Sequence, residues 1–457
     1  MTAQATPGPD SGGDGGTRFD AIVLGAGISG LVCASVLLDQ GSRRVLVVDE
    51  YPRVGGNHLD FHLGDYTFDV GSLVFQDDSP LLRHFPEITD RYLPIDPTWG
   101  RLNPQGVVTE YPFSVRDDFL AAGPRECALL LLSAAAARVR HRRPRNAQEF
   151  ARRWIGPRLL DRSGLGTYMA RFCGVAPEHV ELEFAEQRMM WIAEHASVGN
   201  LSRRVLRALR DRRPGRRPAP AQPVVQTNRQ LVRPREGFTH LYAPARDRLE
   251  SRGTTFQLGM RADRLHREDG AFRLDVAGQT FVAPRVISTI PVDQALDLIG
   301  APGDQPLPSV TLVTLFLSFA GRRGFDDPIL YNFSHDGAWK RLTVHSDFYG
   351  PVGGREYLAV EVLGDMVGAS VDRAAADFRA HTAANGLFTG DLRLEGGHVL
   401  EHAYPIYTAG SGARSRRLIA TLRDFGLESF GRQGGFQYQP TARVSTVEAE
   451  RTLGVSS

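Results

Sequence analysis

The chain has 457 residues, 42% of them hydrophobic and 23% charged, which is enough for roughly two or three globular domains with filled cores. Its formal net charge of +2 is too small to point to nucleic acid or an anionic membrane as the main partner. Cys33, Cys127 and Cys173 lie far apart with no CxxC spacing, which excludes a disulfide framework, a zinc knuckle and a redox pair and fits a reducing cytoplasm.

Residues 1–17 are rich in Gly, Pro and Asp and have neither a basic nor an apolar leader region, so they read as a disordered tail. Order begins at Phe19. The run Phe19 to Leu24 reads as a buried parallel strand, followed at once by Gly25-Ala-Gly27-Ile-Ser-Gly30 and a helical pattern from Leu31 to Gln40. A second apolar strand, Val45 to Val48, ends in Asp49, nineteen residues after Gly30, where a dinucleotide fold needs an acceptor for ribose hydroxyls. Gly25 permits the tight turn, Gly27 lets the backbone approach a pyrophosphate, and Gly30 lets the helix pack closely on the strand. The helix N-terminus then stabilises the phosphate charge. Directly after the acid, Tyr51-Pro-Arg53-Val-Gly55-Gly56-Asn57 brings a second glycine pair. His58, Asp60 and His62 alternate and would share one strand face as metal ligands; the plainer reading is a strand edge beside the cofactor.

Further on, Cys127 to Val139 is apolar but interrupted by Ser133 and Arg138. It falls short of the ~20 residues that span a bilayer, so no membrane partner is expected. Arg138 to Arg145 and Ser202 to Arg217 are dense in arginine. These runs read either as anion sites or, as charge runs usually are, as a solvated helix face and a mobile insertion. Arg152 to Glu194 and Thr239 to Arg252 read as helices, and short alternating strands then lead to a buried Arg285-Val-Ile-Ser-Thr289. Strands from Ser309 to Phe319 and Leu358 to Val362 form a second sheet, and a final helix follows Tyr438, its N-terminus facing the cofactor. No HExxH, GxSxG or Walker-type loop occurs, which leaves hydrolase and kinase readings without support.

The glycine pair after Asp49 resembles the arginine-glycine-glycine segment of FAD enzymes. The chain is similar to the superfamily holding amine oxidases, protoporphyrinogen oxidase and UDP-galactopyranose mutase, and Asn57 leans towards the mutase branch. Tyr66-Thr-Phe-Asp69-Val-Gly71, Tyr111-Pro-Phe113, Tyr168 to Gly174, Ala185 to Arg188, Pro234-Arg235-Glu-Gly237, His402-Ala-Tyr404-Pro405 and Gly431 to Tyr438 resemble segments of that branch in order. Coverage runs from Phe19 to Leu453. The resemblance implies an α/β architecture: a Rossmann-like FAD-binding domain assembled from discontinuous segments (18–75, 236–300 and 400–457), a helical cap, and a second mixed β-sheet (α+β) substrate domain. The cap (76–235) carries an Arg/Pro-rich loop near 202–224, and the mixed sheet occupies 301–399.

For function the resemblance implies an FAD enzyme acting on a small molecule, with room for a homodimer, while cysteine usage and net charge lead to the expectation of a cytoplasmic protein with no nucleic-acid partner. In a mutase, N5 of reduced FAD attacks the anomeric carbon of a nucleotide-linked sugar, and the sugar reopens and recloses as a furanose. Such a site needs forked cations and aromatic hydroxyls around a diphosphate. Arg235 and Arg341 match the branch's diphosphate-binding arginines, Tyr331, Tyr404 and Tyr438 its diphosphate-contacting tyrosines, and Arg432 an arginine near the flavin. Gly25, Gly27, Gly30, Asp49, Gly55, Gly56 and Asn57 would hold the cofactor. Two departures stand out: Ser72-Leu73-Val74 replaces a loop that carries a histidine in mutases, and Tyr438-Gln-Pro-Thr-Ala442-Arg443 lacks the aspartate and histidine of the usual continuation. The alternative is an FAD-dependent oxidoreductase of amine oxidase type. Such enzymes often keep a lysine near flavin N5, and the one lysine of this chain, Lys340, stands next to Arg341, which argues against that alternative.

Overall fold

The computed structural model describes residues 16–71, 74–188 and 228–455. Ser72, Leu73 and the arginine run 202–217 therefore lie outside the described residues. A five-stranded parallel sheet forms the first layer, in the order Thr254–Leu258, Val45–Asp49, Ala21–Leu24, Val286–Ser288, Glu428–Ser429. Both faces of a parallel sheet are covered, so its strands need continuous apolar runs rather than alternation. Ala21, Ile22, Val23 and Leu24 are accordingly all buried, as are Val45 to Val48. On one face the Ile28–Asp39 helix packs with Phe238–Ser251 and Ala442–Thr452. The helix is apolar on all sides because it is wedged between sheet and neighbouring helices. Against the other face lie an antiparallel meander, Ala262–Glu268, Ala271–Val276 and Gln279–Ala283, and the helices Val292–Leu298 and Ser411–Phe425.

A seven-stranded mixed sheet makes the second layer. Its order is Phe388–Pro405, Ser309–Arg323, Glu356–Leu363, Trp339–Val344, Ile329–Asn332, Trp99–Leu102, Val108–Glu110. The last two strands come from the stretch 76–235, and Trp99–Leu102 runs parallel to Ile329–Asn332. The Val371–Ala384 helix covers one face, closing a core around Trp339, Phe378 and Leu342. The opposite face meets the Tyr66–Val70 strand through Phe68 and Phe316, whose ring centroids are 5.0 Å apart.

The third part is a helical cluster, Pro124–Arg140, Ala147–Ile155, Pro157–Arg162, Leu165–Cys173 and Leu182–Arg188, with its own apolar core. Two buried arginines bind it to the mixed sheet. Arg171 donates to the carbonyls of Asn332, Ser334, Asp336 and Gly337. Arg101 pairs with Asp118 and donates to the Ser163 carbonyl at 2.8 Å. A buried guanidinium satisfied in this way fixes the angle between layers, and removing it would leave several carbonyls unpaired.

Candidate active site

A cavity of about 710 Å³ runs from the C-terminal ends of the parallel strands to the mixed sheet and the helical cluster. Ligands of open parallel sheets bind at that edge of the strands. At the near end two glycine loops meet. Gly25 takes φ +103°, which only glycine adopts without strain, and its N–H donates to the Val48 carbonyl at 2.7 Å. A Cβ on Gly30 would stand 1.8 Å from the Gly25 carbonyl oxygen, so the helix cannot pack this close with any side chain there. A Cβ on Gly56 would come 2.9 Å from the Gly27 Cα. Gly55 donates to the Ala26 carbonyl at 2.9 Å. The result is a wall of bare backbone at the N-terminus of Ile28–Asp39, suited to an anionic pyrophosphate.

Asp49 lines the same end. Its carboxylate accepts from the Ala26 N–H at 2.5 Å and the Tyr51 N–H at 2.8 Å, so it also ties down the glycine turn, a second role that spacing alone did not suggest. Burial pushes its carboxyl above the ordinary carboxylate range. Asn57 reaches across to donate to the Ala403 carbonyl at 3.2 Å. Arg432 lines the cavity with its buried Nε lacking a hydrogen-bond partner, and burial lowers its pKa. An orphaned guanidinium N–H beside a glycine cradle fits an anionic or carbonyl-rich cofactor such as FAD. The Ala442–Thr452 helix opens onto the cavity, capped by the Thr441 hydroxyl, which accepts from the Val444 N–H at 3.4 Å. The departure from the mutase continuation thus places a capping residue at this helix start.

The far end is made of side chains. Tyr111 stacks on Tyr331 with centroids 4.2 Å apart, and Tyr168 meets Tyr331 edge-on at 5.7 Å. Tyr404 and Tyr438 complete the wall with Phe172. Behind them lies a buried charge cluster. Glu361 pairs with Arg341 and, at 3.2 Å, with Lys340, whose ammonium also donates to the Tyr404 hydroxyl at 3.2 Å. Successive strand residues point to opposite faces, yet both cations reach one carboxylate. The register shifts between Trp339 and Arg341, leaving Lys340 as the extra residue of a bulge, and a bulge re-aims side chains in this way.

Burial works against the charge on each member of this cluster, and pairing overrides it. Glu361 is held down at about 2 by Arg341 and Lys340. Glu361 in turn raises Lys340, and with Tyr331 it raises Arg341. Burial pushes Tyr438 up to about 12 and raises Tyr404 despite the neighbouring Lys340, so both hydroxyls are protonated at neutral pH. Lys340 and Arg341 oppose the single carboxylate of Glu361, which leaves this cluster with one excess positive charge.

Gly25, Gly27, Gly55, Gly56, Asp49, Asn57 and Arg432 thus line one cavity with Tyr331, Arg341, Tyr404 and Tyr438, while Gly30 supports it from behind. Arg235 does not join them. It is exposed and lies outside the cavity wall, whereas Arg233, two residues earlier, is fully buried against Asp69 at 2.5 Å. The turn that opens the Phe238–Ser251 helix sends the first arginine inward and the second to solvent. His58, Asp60 and His62 do not converge either: His58 hydrogen-bonds the Tyr242 hydroxyl at 2.6 Å, Asp60 pairs with Arg53, and His62 is exposed. Tyr111, Tyr168, Lys340 and Glu361 also line the cavity and had been given no part in the site from sequence. Lys340 stands out in the sequence as the one lysine among 54 Lys and Arg residues, and Glu361 is a carboxylate flanked by Val360 and Val362 in a mostly apolar strand, a signal that could have been read.

A sequence profile described as flavin containing amine oxidoreductase matches residues 28–365. Among solved structures, a reduced UDP-galactopyranose mutase superposes with a TM-score of 0.73 at 18% identity, covering 96% of each chain. A putative protoporphyrinogen oxidase from Exiguobacterium sp. 255-15 gives 0.68 at 16% identity over 96% of this chain and 99% of the other. In sequence, prolycopene isomerase 2 of an Oncidium hybrid cultivar is 49% identical over 57 residues, which is 12% of this chain and 10% of that relative's length. Prolycopene isomerase of Arabidopsis thaliana is 48% identical over 62 residues, 13% of this chain and 10% of the relative.

Proposed function

The chain belongs to the flavin-containing amine oxidoreductase family and takes FAD as its cofactor, and from that premise we propose that it isomerises a nucleotide-linked sugar between pyranose and furanose rings without net oxidation. The observation that carries this reading is the far end of the cavity, where tyrosine hydroxyls and a cluster of two cations on one carboxylate line the space beyond the glycine cradle. A diphosphate is the natural complement of such a wall, since forked, charge-assisted donors hold it best. An apolar polyene would offer no counter-charge to the surplus cation of this cluster. The mutase that shares this fold is named for a nucleotide sugar.

Bound FAD supplies an isoalloxazine that serves as a nucleophile when reduced or as a hydride acceptor when oxidised. The residues of the chain do the remainder. Arg341 and Lys340 bind the diphosphate, and Glu361 keeps both cations fixed so that little reorganisation is needed when the leaving group gains charge. Tyr404 and Tyr438 hold their protons at neutral pH and donate to phosphate or sugar oxygens. Tyr111, Tyr168 and Phe172 shut out water from the sugar.

The test is incubation of the FAD-loaded enzyme, reduced with dithionite, with a panel of UDP-, dTDP- and GDP-hexoses. A new product of unchanged mass, formed by the reduced and not by the oxidised enzyme, is the expected result. One observation favours a second reading, a net oxidation of a small molecule: Lys340 lies in the cavity, as the lysine of amine oxidases does. Oxygen consumption by the oxidised enzyme with amines, and no equal-mass product across the sugar panel, would transfer support to that reading.

A further inference from the structure

We propose that the Pro124–Arg140 helix and the arginines that follow it dock the protein on the surface of an anionic lipid bilayer. One face of this helix, Leu130, Ala134 and Ala137, is buried against Ala147–Ile155 and Pro157–Arg162. The other face, Ala128, Leu129, Leu131, Leu132, Ala135 and Val139, is exposed, with Leu132 at 67% and Val139 at 65%. No charged residue stands between Glu126 and Arg138. A helix on the outside of a globular protein ordinarily carries its charges on that side, and an apolar outer face marks an interaction surface.

Charge decides the partner. Arg138, Arg140, Arg142, Arg143 and Arg145 cluster at the C-terminal end of the apolar stripe. Arg145 pairs with Glu149 and Arg138 lies over the Trp154 ring at 5.8 Å, while Arg140, Arg142 and Arg143 are exposed. A short apolar stripe flanked by arginines and a tryptophan is the pattern of a helix lying in the plane of a bilayer. The leucines enter the acyl boundary and the guanidiniums meet lipid phosphates. With 17 residues the helix is about 25 Å long and lies along the surface. The absence of a spanning segment, which led to the expectation of no membrane partner, leaves this mode of attachment open: among the described residues no helix is long and apolar enough to cross a membrane.

The experiment is co-sedimentation of the FAD-loaded full chain with vesicles of equimolar phosphatidylglycerol and phosphatidylcholine, against vesicles of phosphatidylcholine alone. We expect at least about tenfold stronger partition onto the anionic vesicles, weakened by salt. Leu132→Glu/Val139→Glu and, separately, Arg140→Glu/Arg143→Glu should each lower it by about tenfold or more, with FAD content and melting temperature unchanged. No binding to anionic vesicles, equal binding to both compositions, or binding indifferent to either double variant would overturn the proposal. A dimer in light scattering that Leu132→Glu/Val139→Glu dissociates would also overturn it, assigning the face to a second copy of the chain.

Discussion

The two ends of the cavity are built by different means. At the near end the ligand would meet backbone: a Cβ on Gly25 would strike the Thr289 hydroxyl, one on Gly56 would crowd Gly27, and Asp49 ties the turn together. At the far end it would meet side chains from widely separated segments, including Tyr111, Tyr168, Tyr331, Lys340, Arg341, Glu361 and Tyr438, held by ring stacking and one shared carboxylate. A backbone wall accepts one kind of guest, a pyrophosphate on a helix N-terminus. A wall of side chains can be exchanged piece by piece, which is how one fold supports isomerases and oxidases alike.

Gly30→Val should break the near end outright. Its first side-chain atom would meet the Gly25 carbonyl at 1.8 Å, so the purified variant should carry no FAD by its visible absorbance, a loss of at least about a hundredfold in affinity. Next in size is Glu361→Gln, which removes the counter-charge of two buried cations. Breaking a buried pair costs about 3–5 kcal/mol, to be read by chemical denaturation.

The effect of Glu361→Gln depends on pH. The folded Glu361 is held at about 2, below its ordinary value of 4.5. Its contribution to stability is therefore complete above pH 4.5 and is lost as the pH falls towards 2. Acid unfolding curves should converge for wild type and Glu361→Gln over that window. A gap that persists unchanged at low pH would show that the carboxylate is not the source.

Tyr331→Phe touches only the far end. Losing a hydroxyl that partners Arg341 should weaken binding of a diphosphate ligand by about tenfold, with FAD content unaltered. Equal loss of FAD would show that the two ends are not separable. The smallest effect belongs to Arg235→Ala. An exposed residue outside the cavity should change stability by less than about 0.5 kcal/mol and ligand affinity within error. A tenfold loss of affinity would return Arg235 to the site from which the structure removes it.

Legibility in the sequence follows the same division. The glycine cradle is encoded within a few dozen residues, by spacing that a strand, turn and helix impose, so Gly25 to Asn57 could be assigned directly. The far end depends on long-range pairing. Tyr111 and Tyr331 are brought together by the parallel pairing of Trp99–Leu102 with Ile329–Asn332, which no local pattern announces. Lys340 and Arg341 share a face through a bulge, contrary to the alternation a strand would otherwise impose. Arg233 and Arg235 differ only in which way a turn sends them, and two arginines two residues apart look alike in sequence. The outer face of Pro124–Arg140 was visible as an apolar run, but its exposure was not: an apolar helix is ordinarily a buried one.

The most direct test of the central claim is a titration of the FAD-loaded enzyme with UDP, followed by the flavin absorbance. A saturable spectral change in wild type is expected, with at least about tenfold weaker binding in Arg341→Ala that retains its FAD. Absence of any change with wild type, or identical affinities for the two proteins, would contradict a diphosphate site at the tyrosine-lined end.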